Sequence, residues 1–293
     1  MRFRPGSSGH AHPGVPGSRR AGGRWAATAG AVVMVALSLA GIAVAGVFAG
    51  SPAARAAPAA QATHAAQAAP AAQATHAAQA APVTRPRLRT SCRHVAHIGD
   101  STSVDLTAAG GDITDPAQQL PARYADVGVR HLLLDASGGR SIAEEMPGQV
   151  NGYNVALNWW NQGYRGCWVF ALGTNDAANV SAGSNVGMMA RIQQMMSVAH
   201  GEPVMWVNTV TELNSGPWSE ANEQAWDNTL VQALAMYPNM RIFDWAGVAQ
   251  PGWFLPDGIH YNPVGCAARA RAIADALARA FPRHGHSDGQ IVH

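Results

Sequence analysis

In PDGIHYNP, residues 256–263, Asp257 and His260 stand three residues apart in a turn rich in Pro and Gly. An imidazole with a near-neutral pKa can take a proton from a hydroxyl. A carboxylate on its other ring nitrogen then fixes the tautomer and stabilises the imidazolium that forms. The hydroxyl for such a base stands far upstream, where HVAHIGDSTSVDL (94–106) runs from an apolar stretch into Gly99-Asp100-Ser101. A serine attacking an acyl carbonyl builds a tetrahedral oxyanion, which needs hydrogen-bond donors aimed at it. The backbone N–H groups of Ser101 and of a glycine in SGGRS (137–141), with the side-chain amide of Asn175 in GTND (173–176), would supply three. Singly, each feature has a plainer reading: Ser101 as a helix cap, SGG as a turn, Asn175 and Asp176 as caps of the next helix, and residues 257–260 as a loop.

The elements that must position these residues decide between the readings. Short apolar runs alternate with helical stretches from Ser91 to Pro282, the pattern of a parallel α/β sheet. Strands are expected at 93–98, 129–136, 167–172, 203–209 and 240–245, and helices at 116–127, 151–164, 185–200, 219–237 and 263–281. Ligands in open sheets bind beyond the carboxyl ends of the strands. Gly99-Asp100-Ser101 follows the first strand, SGGRS the second and GTND the third, while PDGIHYNP precedes the last helix. Four separated segments therefore meet at one edge of the sheet, and together they favour chemistry. The methionines of MMARIQQMM fall at helical spacing and are expected in the core; Trp159 and Trp160 could line a groove, with at least one of them core. Arg140, Asn179 and Asn208 stand where they could touch substrate or brace loops.

GDS, a glycine after the second strand, GTND and DGIH occur in the order of the four sequence blocks of the SGNH (GDSL-type) hydrolase family, which the chain resembles over residues 93–281. The resemblance implies an α/β fold, a three-layer α/β/α sandwich with a five-stranded parallel sheet of order 2-1-3-4-5. It makes Ser101 the nucleophile, His260 the base and Asp257 its orienting acid, with Ser101, Gly139 and Asn175 forming the oxyanion hole. Gly138 and Gly139 both fit the second block; Gly139 is preferred because polar Arg140 follows it. In the family's strand order Cys92 and Cys167 precede neighbouring strands, so they are expected to form a disulfide, which an oxidising compartment permits. Cys266 is expected to be unpaired and buried. No G-x-S-x-G pentapeptide surrounds Ser101, and neither CxxC nor HExxH occurs, so neither a metal nor a cofactor is expected.

Charge divides the chain. Residues 1–99 hold ten arginines and no acid, whereas residues 100–293 hold ten arginines against eighteen acids, a balance of −8. That sign disfavours nucleic-acid binding by the catalytic part. Residues 1–24 are expected to be a basic cytoplasmic N-terminus, and the uncharged residues 25–50 a transmembrane signal anchor that leaves the C-terminal part outside. The alternative is a long signal peptide cleaved at the small residues of SPAARAAP. Residues 51–90 read as an Ala/Pro/Gln-rich linker, with AAQATHAAQAAP at 59–70 repeated at 71–82 and the basic TRPRLRT at 84–90. Residues 91–282 form the expected hydrolase domain and 283–293 a disordered tail.

The expected activity is an extracytoplasmic serine ester hydrolase working through an acyl-serine. Short acyl groups on envelope glycans, small esters or lipids are its expected substrates, the membrane is its partner through the anchor, and the chain is expected to be a monomer. Acyl transfer to an envelope glycan would use the same triad. An anchored wall-binding module without turnover is the alternative from another class.

Overall fold

The computed structural model describes residues 88–293. The anchor, the repeat and most of the linker expected from the sequence lie outside these residues. Among the described residues no helix is long and apolar enough to cross a membrane.

Six parallel strands form one sheet: β1 (His94–Gly99), β2 (His131–Ala136), β3 (Cys167–Ala171), β4 (Val204–Val207), β5 (Met240–Phe243) and β6 (Ile291–Val292), in the order β2-β1-β3-β4-β5-β6. The inner strands are apolar on both faces, as strands covered from both sides must be. In β3, Cys167, Val169 and Ala171 join one core while Trp168 and Phe170 join the other; in β4, Met205 and Val207 oppose Val204 and Trp206 in the same way. Helices α2 (Leu120–Val127) and α7 (Pro263–Ala280) cover the first face. The second is covered by α3 (Gly152–Asn161), α4 (Thr174–Ser181), α5 (Met188–Ala199) and α6 (Glu220–Ala233). The result is the three-layer α/β/α sandwich with the expected strand order, lengthened by one strand.

The sixth strand corrects the expectation for the tail. Residues 283–293 are largely polar, a composition that reads as disorder, yet Ile291–Val292 pair in parallel with Ile242–Phe243. Ile242 N–H donates to Gln290 O and Asp244 N–H to Val292 O, filling the otherwise open edge of β5, and Val292 is buried. Two apolar residues suffice because the edge already offers unpaired donors and acceptors.

Met195 and Met196 are core residues. Trp159 and Trp160 are half-buried against the same core; Trp159 stacks on Trp168, and Trp160 lies between His200 and the Arg165 guanidinium. A disulfide joins Cys92 to Cys167 across neighbouring β1 and β3, with 5.7 Å between their Cα atoms. Cys266 is free and buried.

Candidate active site

Ser101 opens α1 (Ser101–Val104), a single turn directly after β1. The cap of that turn is Asp100, not Ser101: its carboxylate accepts from Thr102 N–H at 2.9 Å and from Thr102 Oγ1 at 2.7 Å. Ser101 is thereby released from capping. Arg269 of α7, buried, donates to Thr102 Oγ1 from behind. Gly99 is required for a steric reason, since a Cβ there would lie 2.2 Å from Ser103 Oγ. Ser103 in turn bonds His97 Nε2 at 3.1 Å, and the other ring nitrogen meets Tyr124 OH at 2.9 Å. Burial, then the Arg269 charge, pushes His97 down to about 3, so this ring is a neutral prop under the turn.

His260 approaches from the loop before α7. Its Nε2 lies 2.8 Å from Ser101 Oγ, and its Nδ1 lies 2.7 Å from Asp257 Oδ2. The other carboxylate oxygen of Asp257 accepts from the N–H groups of Ile259 (2.9 Å) and His260 (3.0 Å), so the acid sits in a turn of its own making. Burial alone would raise the Asp257 carboxyl. The hydrogen bond from His260 and the two backbone donors outweigh it and hold the group below its ordinary value. Asp257 is therefore ionised at neutral pH, as the partner of an imidazolium must be.

The third component is the loop after β2. Ser137 N–H and Arg140 Nη1 both donate to Gly99 O, each at 3.3 Å, which pins this loop beside the serine turn. Between them, Gly139 has φ of +71° whereas Gly138 does not adopt positive φ; a Cβ on Gly139 would lie 2.6 Å from Met146 Sδ. Neither Ser101 N–H nor Gly139 N–H is consumed by a hydrogen bond among the described residues. Asn175, in the first turn of α4, donates from Nδ2 to Arg140 O at 3.1 Å. Gly173, not Asn175 or Asp176, occupies the cap position of α4. The amide nitrogen of Asn175 carries two hydrogens, and one remains for an oxyanion.

Several supporting residues carry no signal in the sequence. Trp218, in the loop between β4 and α6, donates its indole N–H to Asn175 Oδ1 at 3.3 Å. An indole only donates and the Arg140 carbonyl only accepts, so the two contacts fix the same orientation of the amide. The same loop reaches the other half of the site, where Glu212 N–H donates to Gly258 O at 2.8 Å. Behind Asn175, buried Asp176 accepts from Ile142 N–H (2.8 Å) and Arg191 Nη1 (2.9 Å), and Arg191 also binds Glu144. Burial opposes ionisation of Glu144, but Arg191, Ser184 and Ser141 hold its carboxyl down to about 2. This network ties the loop after β2 to α4 and α5. Its members lie too far apart in the chain for any spacing to reveal them.

The polar residues near the entrance are braces. The Arg140 guanidinium binds Asp135, Val150 O and Gly99 O; Asn179 donates to Glu144; and Asn208 donates to Asp244. Trp159, Ser137 and Arg140 share the lining of a cleft of about 350 Å³ beside the loop. Asp105, Asp112 and Cys266 bring possible ligand atoms within 4.8 Å of one another. Burial, then the two carboxylates, pushes the Cys266 thiol up to about 12, and it donates to Tyr261 O, so this sulfur is a protonated core group.

No family model matches the sequence, and no curated protein does. Solved structures do match. A carbohydrate acetylesterase family member from Sinorhizobium meliloti is 17% identical with a TM-score of 0.50, covering 62% of this chain and 95% of its own. A lipase/acylhydrolase from Enterococcus faecalis is 16% identical with a TM-score of 0.48, covering 66% and 100%. The C-terminal catalytic domain of Streptococcus pneumoniae peptidoglycan O-acetyltransferase A is 17% identical with a TM-score of 0.47, covering 64% and 92%. At such identities the likeness concerns architecture. The chain has the fold of the SGNH-type hydrolases.

Proposed function

We propose that this protein is a serine ester hydrolase that works outside the cytoplasm and removes short acyl groups from envelope glycans or small esters. The observation that carries the reading is the unbroken relay from Ser101 Oγ through His260 to Asp257, at 2.8 Å and 2.7 Å, with unengaged N–H donors alongside. As Ser101 Oγ attacks the ester carbonyl, its proton passes to His260 Nε2, and Asp257 holds the ring by Nδ1–H and offsets the new positive charge. The oxyanion accepts from Ser101 N–H, Gly139 N–H and Asn175 Nδ2. Collapse of the intermediate returns the proton from Nε2 to the leaving alcohol and leaves an acyl-serine. A water molecule then gives a proton to His260 Nε2 as it attacks the acyl group, and collapse of the second intermediate returns that proton to Ser101 Oγ and releases the acid.

The side chains of His260 and Asp257 are 32% and 46% exposed, so an acceptor hydroxyl reaches the base directly, and product analysis with and without a glycan acceptor separates hydrolysis from acyl transfer. The uncharged residues 25–50 behind five arginines support an anchored, outward-facing enzyme. The test is labelling of the full chain with a fluorophosphonate probe, together with turnover of an ester panel from acetyl to palmitoyl. Labelling that is lost in Ser101→Ala, with fastest turnover of acetyl esters, is the expected result. Equal labelling of wild type and S101A would overturn the enzyme reading, and a preference for long chains would overturn the acyl class.

A further inference from the structure

The end of the sheet opposite Ser101 carries a pocket of its own. Arg89, Arg93, Arg130 and Arg283 line a pocket of about 390 Å³, whose remaining wall is built from Thr90, Ala125, Val127, Gly128 and Val129. Arg93 and Arg130 flank the starts of β1 and β2, whereas Ser101 follows the end of β1; six residues at about 3.3 Å each separate the two by roughly 20 Å. The four arginines are held by backbone bonds. Arg283 N–H donates to Arg89 O at 2.8 Å and Arg130 N–H to Arg93 O at 2.9 Å, while Cys92, next to Arg93, is fixed by the disulfide to Cys167.

None of the four guanidinium groups forms an ion pair among the described residues. The remainder of the chain offers no remedy, because residues 1–87 contain no Asp or Glu. Arg89 spends one N–H on Asp126 O, and the other three side chains make no hydrogen bond among the described residues. The acid nearest the pocket in sequence, Asp126, pairs with Arg123 instead. Arg93 feels the crowding: Arg130, then partial burial, then Arg283 and Arg89, lowers its pKa from the ordinary value. Four like charges gathered on a domain whose acids otherwise predominate are mutually repulsive, and an anion relieves that repulsion.

We propose that this pocket binds a phosphate-bearing anion. The planar guanidinium fork matches phosphate oxygens two at a time, and a phosphate polymer or a layer of phosphate headgroups can neutralise several of the four charges together. Arg85 and Arg87 precede the pocket directly in the chain and extend the same run of charge toward the linker. Binding here would leave the triad, at the far edge of the sheet, turned away from the anionic surface.

The experiment titrates the full-length chain with inorganic polyphosphate, with vesicles of phosphatidylglycerol or phosphatidylcholine, and with polyglutamate as a carboxylate control. The variants are R89Q/R93Q/R130Q/R283Q and the milder R130Q/R283Q, whose two side chains bond to nothing in the fold, so that it keeps the test valid if the quadruple variant does not fold. Site-dependent binding, weakening at least tenfold in R130Q/R283Q and steeply with salt, is expected for polyphosphate or for phosphatidylglycerol but not for phosphatidylcholine. The first arm assigns a free or polymeric phosphate and the second a lipid headgroup; either supports the pocket. Binding unchanged by the substitutions overturns it, and equal site-dependent binding of polyglutamate overturns the phosphate assignment.

Discussion

Asn175 shows how little of a site one side chain decides for itself. In the proposed reaction its amide can serve as an oxyanion donor only because the Arg140 carbonyl and the Trp218 indole hold it from two sides. Asn175→Ala is expected to lower kcat about 10²- to 10³-fold with little change in KM, read by steady-state ester hydrolysis. Trp218→Phe keeps a ring but removes the N–H, and should lower kcat roughly three- to tenfold. Because Trp218 acts through Asn175, W218F should add almost nothing in the N175A background; additive losses would show that Trp218 acts otherwise. Glu223 illustrates another cost. It is fully buried in the first turn of α6, and neither carboxyl oxygen has a hydrogen-bond partner. Burial first, with Asp227, Asp100 and Glu220 adding repulsion and Thr209 opposing, pushes it up to about 9. In the unfolded chain the group ionises near its usual value of about 4.3. As pH rises from there towards about 9, the unfolded state sheds a proton that the native state keeps, so stability falls across that window. Relative to wild type, Glu223→Gln should gain stability in urea unfolding as pH rises from 5 to 9.

At the scale of elements, the site is an agreement between segments. Arg191 of α5 joins Asp176 of α4 to Glu144 of the loop after β2, and its side chain is fully buried. Arg191→Met would leave the Asp176 carboxylate buried without its cation, which is expected to cost about 3–5 kcal/mol in chemical denaturation. The loop carrying Gly139 should loosen as well, so kcat should fall even where the protein remains folded. The strands that set these contacts were legible because their apolar runs are short and bounded by turn residues. The first turn of α4 was not, because TNDA has no apolar periodicity and the helix forms on tertiary contacts such as Ala177 in the core. The tail was misread for the same kind of reason: Ile291–Val292 becomes a strand only against the waiting edge of β5.

For the molecule as a whole, the disulfide closes a span of 75 residues between strands that adjoin in the sheet. Replacing both Cys92 and Cys167 by Ala is expected to lower stability by about 2–4 kcal/mol and to leave ester turnover of the folded protein nearly unchanged, since the bridge lies at the end of the sheet away from Ser101. Thermal unfolding followed by activity at 25 °C checks both parts.

What the sequence by itself determined was the candidate site residues and their order along the chain. Ser101, Asn175 and the Asp257–His260 pair each carry a local signature, and strand-helix alternation places all of them at one edge of a parallel sheet. Periodicity and turn residues are properties of neighbours in the chain, so they survive in a one-dimensional reading. Tertiary structure decided the rest: that Asp100 caps the serine turn, that Trp218 orients the amide, that Arg191 binds two acids, and that four arginines from three separate segments share one pocket. Each of these depends on which distant groups meet once water is excluded or charge is concentrated, and no spacing along the chain encodes that meeting.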